Sequence, residues 1–185
     1  MKTLVLVAHP HMEQSRINSI WKQRLLQEKD ITVNDLYARY PELNIDVERE
    51  QRLLLEHDRI VMQFPFYWYS SPAMLKLWQD QVLERGWAYG GGEKLKGKSF
   101  MLALSTGGPE HAYGKEGYNV FTISEYTRPF QGMANLTDMT YLPHFALHGV
   151  RMLSDEQIKE SAERLVQVIT DRNNHAKNFE VVFGE

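Results

Sequence analysis

Residues 3–25 read TLVLVAHPHMEQSRINSIWKQRL, and this stretch decides the fold. Thr3 to Ala8 is an unbroken apolar run, as a strand buried on both faces requires. His9 to Gln14 is a polar loop. Ile17, Ile20, Trp21 and Leu25 then recur at helical spacing. Strand, loop and helix in this order open a β-α-β unit, whose sheet is parallel and covered on both faces.

The same alternation runs outward along the chain. Ile31 to Leu36 predicts a second strand. Asp46 can cap a helix carrying Val47, Leu54 and Leu55. Arg59 to Phe64 predicts a third strand. Ser71-Pro72 opens a helix striped by Leu75, Trp78 and Val82, with Ser71 as cap and Pro72 at its first position. Ser99 to Ser105 is a fourth strand, Ile123 to Leu136 a weaker helix and Thr140 to His148 a fifth strand. Ser154 and Gln157 form a capping box before Ile158, Ala162, Leu165, Val166 and Ile169, a helix that Asn173-Asn174 ends. Phe179 to Phe183 has strand character without an assigned place. The expectation is one α/β domain over residues 1–185: a three-layer sandwich around a five-stranded parallel sheet.

Composition narrows the function. The 185 residues are 43% hydrophobic and 24% charged, as in ordinary globular chains. A net charge of −3 gives no basic excess for nucleic acid or anionic membrane. With no cysteine, disulfides, thiol catalysis and Cys-zinc sites are excluded, and a reducing cytoplasm is the expected location. The uncharged run Ile60 to Leu75 is too short and too polar to span a bilayer. The apolar start lacks the length and cleavage site of a signal peptide.

Open parallel sheets bind ligands beyond the carboxyl ends of their strands. That rule selects three loops, following strands one, three and four. In the first, HPHMEQSRIN, a helix start favours an anion, with Ser15 offering a hydroxyl, Asn18 an amide and Arg16 a charge. An ordinary N-cap reads equally well from this segment alone. The second, QFPFYWYSSP, places Phe64, Phe66, Tyr67, Trp68 and Tyr69 too close together to face one core. It suits a flat conjugated ligand, a dimer interface, or both. The third, STGGPEHAYG, lets backbone amides near Gly107 and Gly108 approach a ligand. Three other patterns fail on context. Residues 92–99, GEKLKGKS, match a P-loop but enter a strand instead of opening a helix. The pairs His9/His11 and His144/His148 lack the setting of a metal site. No G-x-S-x-G elbow exists for a serine hydrolase.

The segments LVLVAHP with SRIN, QFPFYWYSSPAMLKLWQDQV, GWAYG and LSTGG, in that order, resemble the flavodoxin-like NAD(P)H:quinone oxidoreductases. That family includes DT-diaphorase and the ancillary reductases of glutathione-gated potassium efflux systems, and the likeness is to its short bacterial members. The resemblance implies a flavin whose phosphate and ribityl chain meet His9, Ser15, Arg16, Ile17 and Asn18. It implies an isoalloxazine held by Phe66, Tyr67, Trp68 and Tyr69, with Ser105, Thr106, Gly107 and Gly108 along its N1 and O2 edge. A branched side chain at Gly108 is then expected to clash with the ring. Tyr113 matches the family's active-site tyrosine, but Asn119 stands where a histidine accompanies it. The implied cofactor is FMN, with FAD as the alternative lacking a recognisable adenosine site. NAD(P)H is the implied co-substrate, and a quinone or similar small molecule the implied acceptor. The implied chemistry is two-step, ping-pong hydride transfer. A homodimer is implied too, with the aromatic loop and Trp87 to Tyr89 as interface material. No metal is expected. The alternatives are an ancillary subunit meeting a membrane partner peripherally and a one-electron flavodoxin carrier.

Overall fold

The computed structural model describes residues 1–173 and the backbone of residues 179–181. The chain runs β1 (Thr3–Val7), a 3-10 turn (Met12–Gln14), α1 (Ile17–Leu25), β2 (Ile31–Asp35), α2 (Leu36–Arg39), α3 (Val47–Glu56) and β3 (Arg59–Pro65). It continues through α4 (Ala73–Val82), β4 (Ser99–Ser105), a second 3-10 turn (Glu110–Ala112), α5 (Ile123–Tyr126) and α6 (Arg128–Leu136). β5 (Thr140–Tyr141), β6 (Phe145–Leu147), α7 (Asp155–Thr170) and β7 (Phe179–Val181) complete it. All strand pairs are parallel, in the order β2-β1-β3-β4-β6-β7, with β5 also on β4.

Strand periodicity sorts the core into two layers. Leu4, Leu6, Ile60, Met62, Phe64, Leu102 and Leu104 face the helices α2, α3, α4 and α6. Val5, Val7, Val61, Met101 and Ala103 face α1 and α7. In that second layer the buried Trp21 of α1 donates Nε1–H to Ser161 Oγ of α7 at 2.8 Å. In the first, the fully buried Glu50 carboxylate accepts from Asn34 Nδ2 (2.8 Å), Tyr40 OH (2.6 Å) and Trp78 Nε1 (2.8 Å). Arg49 closes the cluster as an ion pair at 2.5 Å. One acid thereby ties together β2, α2, α3 and α4.

The amino edge of the sheet is closed by cations at helix C-termini, where carbonyls lack helical partners. Arg59 Nη1 donates to Ile169 O of α7 (2.5 Å), and Lys98 Nζ to His57 O after α3 (2.6 Å). Lys98, the lysine of the P-loop-like stretch, is thus committed to structure. Among the described residues no helix is long and apolar enough to cross a membrane.

Several boundaries differ from the sequence expectation. The fifth strand is two pieces. Ser99 pairs with Thr140 but Ala103 with Phe145, so one extra residue bulges at Leu142-Pro143-His144. Pro143, with no N–H to give the ladder, explains the interruption. The helix expected over residues 123–136 breaks at Thr127, where Pro129 starts α6 afresh. Ser71 does not cap α4. Pro72 keeps an extended ψ of 150° and stands in the cap position itself, while Tyr37 OH of α2 accepts from Met74 N–H at 3.3 Å. α7 ends at Thr170, before Asn173, and Asn174 lies outside the described residues. β7 adds an edge strand beside β6; residues 182–183 of the expected strand lie outside the described residues.

Candidate active site

The carboxyl ends of β1, β3, β4 and β6 meet around a cavity of about 810 Å3. That is within the usual range of small-molecule sites, about 300–1,000 Å3. His9, Ser15, Arg16, Ile17, Asn18, Phe66, Tyr67, Trp68, Ser105 and Gly107 of the expected set line it, joined by Gln14, Pro65, Val150 and Arg151. A smaller cleft of about 230 Å3 shares Phe66, Trp68 and Gly107 and adds Tyr69, Gly108, Tyr113, Tyr118 and Asn119.

One end of the large cavity is the start of α1. Ser15 Oγ accepts from Asn18 N–H at 3.0 Å, so Ser15 is a true N-cap. Asn18 lines the cavity while its polar groups are engaged with the sheet. Its Nδ2 donates to Ser105 Oγ at 3.2 Å, and its backbone oxygen accepts from Gln63 Nε2 at 3.1 Å. It bolts α1 to β3 and β4. Arg16 reaches Leu153 O (3.0 Å) and Asp155 Oδ1 (2.7 Å) at the start of α7. An exposed pair of this kind is worth no more than about 1 kcal/mol, so an incoming anion can compete for the guanidinium. Arg151 adds a second cation to the lining. His9 Nδ1 accepts from His11 N–H at 3.1 Å, which leaves the ring proton on Nε2, 3.4 Å from Tyr67 OH. Burial, then His11, pushes the His9 pKa down, so the ring stays neutral.

The aromatic loop is a tight turn closed by Ser70 N–H to Tyr67 O at 3.0 Å. Its central residues, Trp68 (φ 47°) and Tyr69 (φ 62°), both adopt the left-handed region. Each costs about 1–2 kcal/mol without glycine. Tyr69 is held there by stacking on Tyr126, 4.8 Å between centroids, and by donating to Asn119 Oδ1 at 3.1 Å. Trp68 is left 93% exposed over both cavities. Trp87 and Tyr89 are partly buried and pack against the same core layer as α4.

The Gly-Gly turn divides its labour. A Cβ on Gly107 would meet nothing within 4 Å, so backbone there opens straight into the cavity. A Cβ on Gly108 would meet Tyr118 Oη at 3.1 Å and Tyr113 Oη at 3.3 Å. The expected clash at Gly108 is therefore first with tyrosines. Thr106, expected among the cofactor contacts, lines neither cavity and is fully buried. Its Oγ1 donates to Gly108 O at 2.8 Å and lies 3.0 Å from His148 Nδ1. The hydroxyl has one proton, so His148 Nδ1 is the donor in that second bond.

This places a histidine beside Tyr113 after all. Asn119 does occupy the position expected from the resemblance, but His148, from the loop after β6, brings its ring within 5.5 Å of the Tyr113 ring. Burial raises the Tyr113 pKa, and hydrogen bonding to Thr106 and the Gly108 backbone partly opposes it. Among the described residues no three His, Asp or Glu side chains gather as a metal site.

Residues 1–169 match the family model described as flavodoxin-like fold. The chain belongs to the flavodoxin-like fold family. An uncharacterized NAD(P)H oxidoreductase of Bacillus subtilis, YdeQ, is 58% identical over 172 residues, covering 92% of this chain and 87% of that one. Three solved structures are also similar. One is a chain from a thermophilic tryptophan halogenase of Streptomycin violaceusniger (TM-score 0.89, 47% identity, 91% of this chain, 98% of the other). Another is general stress protein 14 of Treponema denticola in complex with FMN (TM-score 0.88, 38%, 91% and 98%). The third is an NADPH-quinone reductase of P. pentosaceus (TM-score 0.85, 37%, 92% and 99%).

Sequence reasoning did not select Tyr118, nor the loop after β6, which supplies His148, Val150 and Arg151. That loop carries no glycine-rich or aromatic signature. The only available signal was positional: it too follows a strand at the carboxyl edge.

Proposed function

We propose that this protein is a flavin-dependent NAD(P)H oxidoreductase. FMN would occupy the large cavity and a quinone-type acceptor the smaller cleft. The observation that carries the reading is the junction of the two spaces at Gly107 and Trp68, with an anion-binding helix start at one end and aromatic walls at the other. The relatives named for NAD(P)H oxidation, FMN binding and quinone reduction support it.

A flavin bound there supplies two-electron hydride chemistry. Ser15, Ile17 and the first turn of α1 would hold its phosphate through backbone N–H groups, aided by Arg16 and Arg151. His9, Phe66, Tyr67 and Trp68 would wall the ring, and Gly107 would let the backbone reach its edge. Tyr113 would hydrogen-bond the acceptor. The donor and acceptor would use the cleft in turn, which is a ping-pong scheme. The protein would act as a homodimer whose interface includes the exposed aromatic rim.

Purified protein should be yellow and release FMN on denaturation, as identified by mass spectrometry. Double-reciprocal plots for NAD(P)H and a quinone, without halide, should be parallel. Colourless protein that takes up no added FMN refutes the cofactor assignment, and intersecting lines refute the shared cleft. The halide-free assay also separates this reading from the chemistry named for the halogenase neighbour.

A further inference from the structure

Tyr118 was not among the residues singled out by sequence, yet it is built as a donor. The residue is 72% exposed, and among the described residues its hydroxyl makes no hydrogen bond. It lines the small cleft together with Trp68, and its oxygen converges with that of Tyr113 over Gly108. Exposure does not make it loose. The next residue, Asn119, is buried and pinned on three sides: N–H to Ala112 O (2.9 Å), O from Tyr126 OH (2.5 Å) and Oδ1 from Tyr69 OH (3.1 Å). Val120 follows at φ 65°, its N–H on Gly117 O at 3.0 Å. An unspent phenol on an anchored backbone keeps its position while its partner comes and goes.

The rest of the cleft says what that partner is. Its lining contains Phe66, Trp68 and Tyr69 as flat walls and no Asp, Glu, Lys, Arg or His. An uncharged planar ring fits such walls, and the donors await an acceptor atom at its edge. We propose that Tyr118 is a second phenol donor beside Tyr113, hydrogen-bonding a ring carbonyl oxygen and selecting oxygen-bearing aromatic acceptors over bare hydrocarbons. This rests on reading the cleft as the acceptor site.

The test needs no turnover. 1,4-Naphthoquinone and naphthalene share their rings and differ in the carbonyl oxygens. Their affinities for the oxidised protein as purified, without NAD(P)H, are compared by calorimetry for wild type, Tyr118→Phe and Tyr113→Phe/Tyr118→Phe. Wild type should prefer the quinone. Tyr118→Phe should shrink that preference about three- to tenfold, the scale of one neutral hydrogen bond. The naphthalene affinity should not move, and the double variant should shrink the preference further. An unchanged preference in Tyr118→Phe, equal losses for both ligands, or no preference in wild type each overturns the proposal. Flavin content, read from the visible spectrum before ligand is added, reports separately on the cofactor reading.

Discussion

At Gly107 a single added side chain interrogates the site directly. The position touches both cavities and offers a Cβ open space, so Gly107→Val should fold with an unchanged melting temperature. It should nevertheless lose FMN affinity by at least about tenfold, because the branched group fills the space the cofactor needs. Full occupancy in that variant would make the turn only a turn. Gly108→Val should behave differently, since it presses first on Tyr113 and Tyr118. Tyr113→Phe should keep its flavin and lower turnover by about one to two orders of magnitude, one hydrogen bond to a charged species being worth about 1.5–3 kcal/mol. Burial raises the Tyr113 pKa, so the neutral phenol persists above pH ~10. The difference between wild type and Tyr113→Phe should therefore stay constant through neutral pH and collapse only in stronger alkali. At this scale the sequence was legible where residue type announces chemistry: paired glycines, consecutive aromatics, a serine before a helix. It was silent on Arg151, offered His148 only as half of a metal-like pair, and gave Thr106 only through the family resemblance. Their importance lies in which neighbour the fold brings to them.

Elements were legible where one local rule acts alone. Asp46 caps α3 by accepting from Arg49 N–H at 3.0 Å, and Ser154 with Gln157 forms the full capping box of α7. They were misread where a distant group intervenes, as when Tyr37 of α2 takes over a donor at the start of α4. The Glu50 cluster is the largest such hidden tie. Glu50→Ala would leave Asn34, Tyr40 and Trp78 with donors facing a void, and urea titration should show a loss of about 3–5 kcal/mol. Tyr40 gives the cluster a pH signature. Burial, reinforced by Glu50, pushes its pKa up to about 12. The unfolded chain ionises this phenol near pH ~10, so the folded state alone retains the proton between those values. Stability is thus complete below pH ~10 and falls as pH rises toward 12, by up to about 1.4 kcal/mol per unit from this group. Tyr40→Phe should be less stable at pH 7 but show a shallower alkaline decline. An identical slope would remove Tyr40 from it.

At the scale of the molecule, exposed aromatic and other large apolar side chains among the described residues gather near the carboxyl edge. Trp68, Tyr118, Val120 and Phe121 are all more than half exposed there. Sedimentation at micromolar concentration should find a dimer, and Phe121→Asp should shift it toward monomer; a monomeric wild type would sink the interface. The three-layer architecture was legible because continuous apolar strands alternate with amphipathic helices. The split of the fifth strand and the added β7 edge were not, since both depend on register between chain segments far apart. The turn that holds Trp68 has one more consequence. Of the four tryptophans, Trp21 and Trp78 are sealed in the core and Trp87 is partly covered, whereas Trp68 stands in water beside both cavities. The molecule therefore carries its own optical probe: acrylamide should quench a red-edge emission component first, and a ligand entering either space should dim or shield that same component.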